Sequence, residues 1–279
     1  MRGLIAVFAG LLASMPAAHA GPRIVSMNLC ADELVLRLAD RDQVASVSFL
    51  SGDRRISNVA DLAAGLPVNH GLAEEVVTAA PDLVVAGLYT TRTTVALLRK
   101  LNFPVVELDV PVTFEAVEAQ IREVAAVVGH PARGEAMIAD IRAGLDAIPA
   151  RETGTRALVL RPNGLTAGAG SLVDTLLRRT GLVNLGTTPD LEGYNFLPLE
   201  WVVTLRPEVL IVDSEPYPRP ALAYTVLHHP ILERLPYEMR AIGVPNRLWT
   251  CAGPAMVEAV SILARAVEPP VLAAADRHP

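Results

Sequence analysis

The chain predicts an α/β fold: two Rossmann-like lobes joined by a single long rigid helix, with a cleft between the lobes. Three observations carry this. Short runs of Val, Ile and Leu alternate with segments of helical periodicity, the pattern of parallel sheets covered by helices. The plan occurs twice, at a spacing of roughly 130 residues, far beyond the ~20–50-residue period of a solenoid. Between the two runs, Pro131 to Ile148 keeps a 3.6-residue apolar period with no Gly/Ser tether.

Residues 1–20, "MRGLIAVFAGLLASMPAAHA", read as a secretory signal: Arg2, an apolar stretch from Leu4 to Leu12, and small residues at Ala18 and Ala20, with cleavage near Ala20. The apolar run is short of the ~20 residues that cross a bilayer. No Cys follows the cleavage point, so a soluble, exported chain is expected. Residues 21–130 form the first lobe. It opens with the strand "RIVSMN", the helix "ADELVLRLAD" and the strand "VASVSF". After a loop to Asn69 come the short helix "LAEEVVTAA", the strand "DLVVAG", the helix "TTVALLRKLN" and the strand "PVVELD". Residues 131–150 are the connecting helix, with Pro131 suited to its first turn and Met137, Ile138, Ile141, Leu145 and Ile148 on its apolar face. Residues 151–279 repeat the plan: strand "RALVLR", helix "SLVDTLLRR" closed by Gly181, short helix "LEWVVTLR", strand "EVLIVD" and a last helix, "PAMVEAVSILARAV".

Composition sets limits on function. The net charge is −6 with no basic patch, which argues against a nucleic-acid partner. Two cysteines, Cys30 and Cys251, in an exported chain favour a disulfide; a ligand-contacting thiol pair and two unrelated small apolar residues are the alternatives. Bare-metal capture needs a His/Asp/Glu cluster that the sequence does not display, so a pre-chelated metal fits better. His70 or a Tyr is left as a candidate ligand for haem iron. No G-x-S-x-G, H-E-x-x-H or P-loop motif appears, and no cofactor of the protein's own is implied.

The halves share one sentence. In "LAEEVVTAAPDLVVAG" and "LPLEWVVTLRPEVLIVD" a Glu, Glu74 or Glu200, stands seven residues before a Pro, which an acid and an apolar run follow. A carboxylate in a helix's first turn gains ~0.3–1 kcal/mol from the macrodipole whatever its function. That accounts for one such Glu; a matched pair asks for more.

Together, the export signal, two α/β lobes, a helical connector and the duplicated Glu segment resemble the class III periplasmic solute-binding proteins. These are the receptors of bacterial ABC importers for ferric siderophores, cobalamin and haem. The match runs from "RIVSMNLCADEL" to "RLWTCAGPAMVEAVSILARA". The resemblance implies a monomeric periplasmic receptor for a metal chelate or corrinoid. It also implies that Glu74 and Glu200, one per lobe, dock on arginines of an ABC permease dimer in the inner membrane.

Ligands of such sheets sit beyond the carboxyl ends of the strands. By that rule Asn28, Cys30, Tyr89 and Arg92 form one wall of the cleft. Asn163, Thr166 and Ser171 of "RPNGLTAGAGS", with Tyr194, Phe196, Tyr217 and Trp249, form the other. Aromatic rings stack on planar ligands, and Arg pairs with carboxylates. The competing reading is an exported α/β enzyme that holds a phosphorylated small molecule on the Gly168–Gly170 loop. There Val173 stands where a dinucleotide fingerprint has its third Gly.

Overall fold

The computed structural model describes residues 21–90, 92–151, 153–187, 192–215 and 221–267. The expected signal segment and Tyr217 lie outside them.

The first lobe is a five-stranded parallel sheet in the order β3-β2-β1-β4-β5, with β1 Ile24–Ser26, β2 Val44–Ser48, β3 Val68–Asn69, β4 Leu83–Gly87 and β5 Val105–Leu108. Its strands are near-continuous Val/Ile/Leu runs because helices cover both faces. Five helices belong to this half: α1 Leu29–Leu38, α2 Ala60–Ala63, α3 Ala73–Thr78, α4 Arg92–Lys100 and α5 Phe114–Val127. The second lobe has a four-stranded parallel sheet, β11-β10-β6-β8, made of β6 Arg156–Val159, β8 Val183–Asn184, β10 Val209–Val212 and β11 Arg240–Gly243. A small antiparallel pair, β7 Leu165–Ala167 with β9 Tyr194–Phe196, sits beside it. Helices α7 Leu172–Arg179, α8 Leu199–Leu205, α9 Arg247–Thr250 and α10 Met256–Ala266 complete it.

A helix is present where the connecting helix is expected, as α6, and it is packed on both sides. Helix α6 spans Pro131–Asp146 and folds back on α5 through a turn at Gly129, whose φ is +88°. The pair is closely packed: a Cβ at Gly134 would stand 2.6 Å from the Ala125 Cβ. Arg122 bonds Glu135 at 2.7 Å and Arg142 bonds Glu118 at 2.6 Å across the seam. On its other side α6 meets α10 at Gly144 and Val257. The connecting helix is therefore set into the body of the protein, packed on α5 of the first lobe and α10 of the second.

One apolar cluster runs through both lobes, from Ile24, Leu34 and Ile121 through Ile141 and Leu145 to Leu176, Leu248 and Leu263. Two satellite clusters lie on the other faces of the sheets. Val25, Val84, Val76 and Leu98 form the first, and Leu158, Leu160, Val202 and Leu210 the second. The cleft sits between the sheets, above the shared cluster.

Candidate functional site

The order of the first sheet reverses between β1 and β4, so the loops after these strands diverge and leave a crevice. Met27 to Cys30 and Leu88 to Thr90 line it. Gly170 to Leu172, Gly193, Tyr194, Trp249, Thr250 and Ala252 face them from the second lobe, enclosing a cleft of about 850 Å³.

On the first wall, Asn28 caps α1. Its Oδ1 accepts from Ala31 N at 2.8 Å, and its Nδ2 donates to Thr90 Oγ1 at 2.9 Å. Thr90 Oγ1 also accepts from Gly87 N at 2.8 Å, which turns the chain sharply after β4. Gly87 is required there, since a Cβ would fall 2.1 Å from Asn28 Nδ2. Tyr89, 79% exposed, stands at the mouth. His70 also lines this wall, stacked on Phe49 with ring centroids 5.1 Å apart. Its Nδ1 lies 2.9 Å from Glu75 Oε1, while Glu75 Oε2 accepts from His70 N at 2.7 Å. These hydrogen bonds, the His70 side chain first, hold the Glu75 carboxyl below its ordinary pKa. A carboxylate on Nδ1 selects the tautomer with its proton there and leaves the Nε2 lone pair for a metal.

On the second wall, Ser171 caps α7: its Oγ accepts from Asp174 N at 3.1 Å and donates to Gly168 O at 2.8 Å. Gly168 N is bonded to Gly193 O at 2.6 Å. Two donors of the Gly-rich loop, Gly168 N and the Ser171 hydroxyl, are thus bonded within the protein. Trp249 is almost fully buried, its Nε1 donating to Asn246 Oδ1 at 3.3 Å. Tyr194 is 41% exposed overall, yet its phenol is desolvated enough to push its pKa up, with Arg161 pulling the other way.

Arg161, which the sequence does not single out, stands two residues beyond β6. Its guanidinium carbon lies 5.4 Å from the Tyr194 ring centroid and 5.6 Å from that of Trp249. Nε and Nη2 are buried without a hydrogen-bond partner. Burial lowers its pKa, against the attraction of Tyr194 and Asp213. The signal was available: the second sheet reverses its order between β6 and β10, and Arg161 is the charged residue at that switch point.

Of the predicted cleft residues, Asn28, Cys30, Tyr89, Ser171, Tyr194 and Trp249 line the cleft. Arg92 does not, because the Gly87–Thr90 turn sends it to the exposed start of α4. Asn163 is an exposed turn residue at φ 60°, a left-handed conformation that Asn tolerates, and this accounts for its presence. Thr166 is fully buried and its hydroxyl donates to Val159 O at 2.7 Å, tying β7 to β6. Phe196 is 69% exposed on β9, outside the lining. Cys30 and Cys251 are joined by a disulfide with Cα atoms 5.0 Å apart, linking the two lobes at the cleft.

Glu74 and Glu200 each occupy the first turn of a short helix, α3 and α8, and both are exposed. Neither carboxylate has an ion-pair partner among the described residues. The likeness extends along the helices, both of which read E-x-V-V-T. Residues two apart on a helix point nearly opposite ways. Val76 and Val202 accordingly enter the satellite clusters while the Glu side chains point to solvent. Thr78 and Thr204 each donate a hydroxyl hydrogen bond to the carbonyl of their Glu, at 2.7 and 2.9 Å. Ala80 and Arg206, in matching slots before the prolines, both have positive φ, 45° and 50°.

The fold is shared with solved structures. The periplasmic haem-binding protein RhuT from Roseiflexus sp. RS-1, in its apo form, superposes with a TM-score of 0.70 at 21% identity, covering 89% of this chain and 100% of that one. The periplasmic vitamin B12-binding protein BtuF of Vibrio cholerae gives 0.65 at 16% identity, covering 88% and 97%. A curated cobalamin-binding protein of Halobacterium salinarum (strain R1) is 25% identical over 195 residues, 68% of this chain and 53% of its own length. The chain thus spans about half the length of the curated relatives it matches. The family model described as "periplasmic binding protein" matches residues 24–236, more than half of the chain, and the chain belongs to that family.

Proposed function

We propose that the protein is the cargo receptor of an ABC importer, exported to the periplasm, and that it carries a metal chelate or corrinoid in the cleft between its lobes. The observation that carries this is the composition of the cleft. Tyr89 and Tyr194 offer flat apolar surface, and His70 offers a nitrogen fixed by Glu75. Such a site recognises a large planar complex whose metal keeps an axial position open. Among the described residues no three His, Cys, Asp or Glu side chains cluster to hold a bare ion. No described helix is long and apolar enough to cross a membrane. The relatives, named for haem and vitamin B12 or cobalamin, support the same cargo class.

The enzyme reading is weaker, because Gly168 N and the Ser171 hydroxyl of the Gly-rich loop it needs are already bonded within the protein. In the receptor reading Glu74 and Glu200 meet the permease, and the disulfide sets the lobe spacing. The deciding experiment is an absorbance titration of the purified protein with haemin and with cyanocobalamin. At least one should bind with a saturable spectral change. If the metal is held through His70, then His70→Ala should abolish the change in the metal-sensitive bands while some binding persists. Absence of binding to either probe, or to other ferric chelates, would remove the proposal.

A further inference from the structure

The Cys30–Cys251 disulfide joins the two lobes across a chain separation of 221 residues, and its two halves differ in access. Cys30 is partly exposed and lines the cleft beside Met27, Asn28 and Leu29. Cys251 is 4% exposed and is not part of the lining, although Thr250 and Ala252 on either side of it are. A thiolate that approaches the bond from solvent therefore meets Cys30, and its path runs through the cleft. Thiol–disulfide exchange depends on that access, because the attacking sulfur must reach the sulfur it bonds. Cys30 also stands in the first turn of α1, a ten-residue helix whose positive end stabilises a thiolate. Away from this bond the lobes stay joined by the shared apolar cluster and by the Asn58–Arg247 hydrogen bonds, so cleaving it leaves the body assembled.

We propose that this bond is a thiol-exchange site gated by cargo: a dithiol opens it through the empty cleft, and cargo in the cleft shields it. In the first step a thiolate of the dithiol bonds to Cys30 Sγ. The S–S bond breaks, and its electron pair leaves on Cys251 Sγ, which takes a proton. In the second step the dithiol's other thiolate attacks its own sulfur in the mixed disulfide, and Cys30 Sγ leaves as a thiolate at the start of α1. The protein's disulfide is reduced by two electrons and the dithiol is oxidised to a disulfide. The gate rests on the cleft being the cargo site, as read above. It adds that a loaded receptor keeps its lobes tied while an empty one is open to reduction.

The test exposes the oxidised wild type to dithiothreitol, empty or saturated with cyanocobalamin or with gallium protoporphyrin, whose metal a dithiol does not reduce. Free thiols are alkylated over time and counted by mass spectrometry, with melting temperature as the folding control. The empty protein should be reduced at least tenfold faster than the loaded one. Its rate should not change in urea too dilute to unfold it. Equal rates with and without cargo overturn the gate. A rate that climbs with dilute urea overturns it too, since the bond is then reached by unfolding. Two variants test which sulfur is open. The lone Cys30 thiol of Cys251→Ser should react with a disulfide reagent at least tenfold faster than the lone Cys251 thiol of Cys30→Ser, and the reverse order contradicts the proposal. The wild-type comparison decides the matter without either variant having to fold. Failure of the wild type to bind either probe removes the cargo reading and the gate with it, a result distinct from binding that leaves the disulfide unprotected.

Discussion

Asp32 lies on α1 with no exposed surface, its carboxylate accepting from Ser48 N at 3.1 and 3.2 Å and from the Ser48 hydroxyl. Burial outweighs those hydrogen bonds and pushes its pKa from 3.8 up to about 7. The folded protein therefore holds this proton more tightly than the unfolded chain does. The resulting stability is complete below about pH 4 and is lost as pH rises through about 7. Over that window the slope approaches ~1.4 kcal/mol per pH unit. Asp32→Asn removes the titration, so wild type should lose stability relative to the variant between pH 4 and 7, read as the difference in Tm at each pH. A difference that does not change with pH would contradict this. At the residue scale the sequence shows which types stand after which strands, and that located Asn28, Tyr89 and Trp249. It does not show direction. Thr166 and Asn163 are hydrogen-bonding types, and the fold uses both on backbone geometry. A single Arg just past a strand, such as Arg161, reads as a solvated edge, and only the fold closes two rings over it.

At the scale of elements, the α5–α6 hairpin shows most clearly what periodicity misses. The apolar period of 131–148 was readable, but the helix packs α5 through Gly134, a contact defined by the lack of a side chain. Gly134→Ala sets two opposed effects against each other. Helix propensity favours Ala by about 1 kcal/mol. The new methyl, however, would stand 2.6 Å from the Ala125 Cβ, which no side-chain rotation can move. Overpacking of this kind costs about 1–3 kcal/mol, so a net loss of ~1 kcal/mol is expected in urea denaturation. Adding Ala125→Gly should relieve the clash and recover part of it. If Gly134→Ala alone stabilises the protein, the helices are not in close contact. The surface ion pairs Arg122–Glu135 and Arg142–Glu118 matter less, since exposed pairs contribute ~0–1 kcal/mol. Strands β3 and β8 have two residues and β7 and β9 three, too short to show alternation. The long Val/Ile/Leu strands were legible because both of their faces are buried.

The whole molecule is two lobes on one apolar cluster, joined below the cleft by helix α6 and at the cleft by the Cys30–Cys251 disulfide. Asn58 and Arg247 add a further tie, with Asn58 Nδ2 donating to Arg247 O at 2.8 Å and Arg247 Nη1 donating to Asn58 Oδ1 at 3.1 Å. A body tied at three places holds the spacing of its two outward knobs, Glu74 and Glu200. That spacing is what a two-fold permease would read, and paired charges at its ends would set orientation and speed of docking more than affinity. The account's central claim, a receptor that binds in the cleft and delivers through its two docking helices, is tested most directly by uptake in cells. The strain carries its cognate permease and either wild type or Glu74→Arg/Glu200→Arg, with cargo affinity and Tm measured in parallel on the purified proteins. The account predicts that the double variant binds cargo and melts like wild type while uptake is lost. Uptake at the wild-type rate would contradict the docking role, and a loss of cargo affinity would place the two glutamates in the wrong part of the molecule.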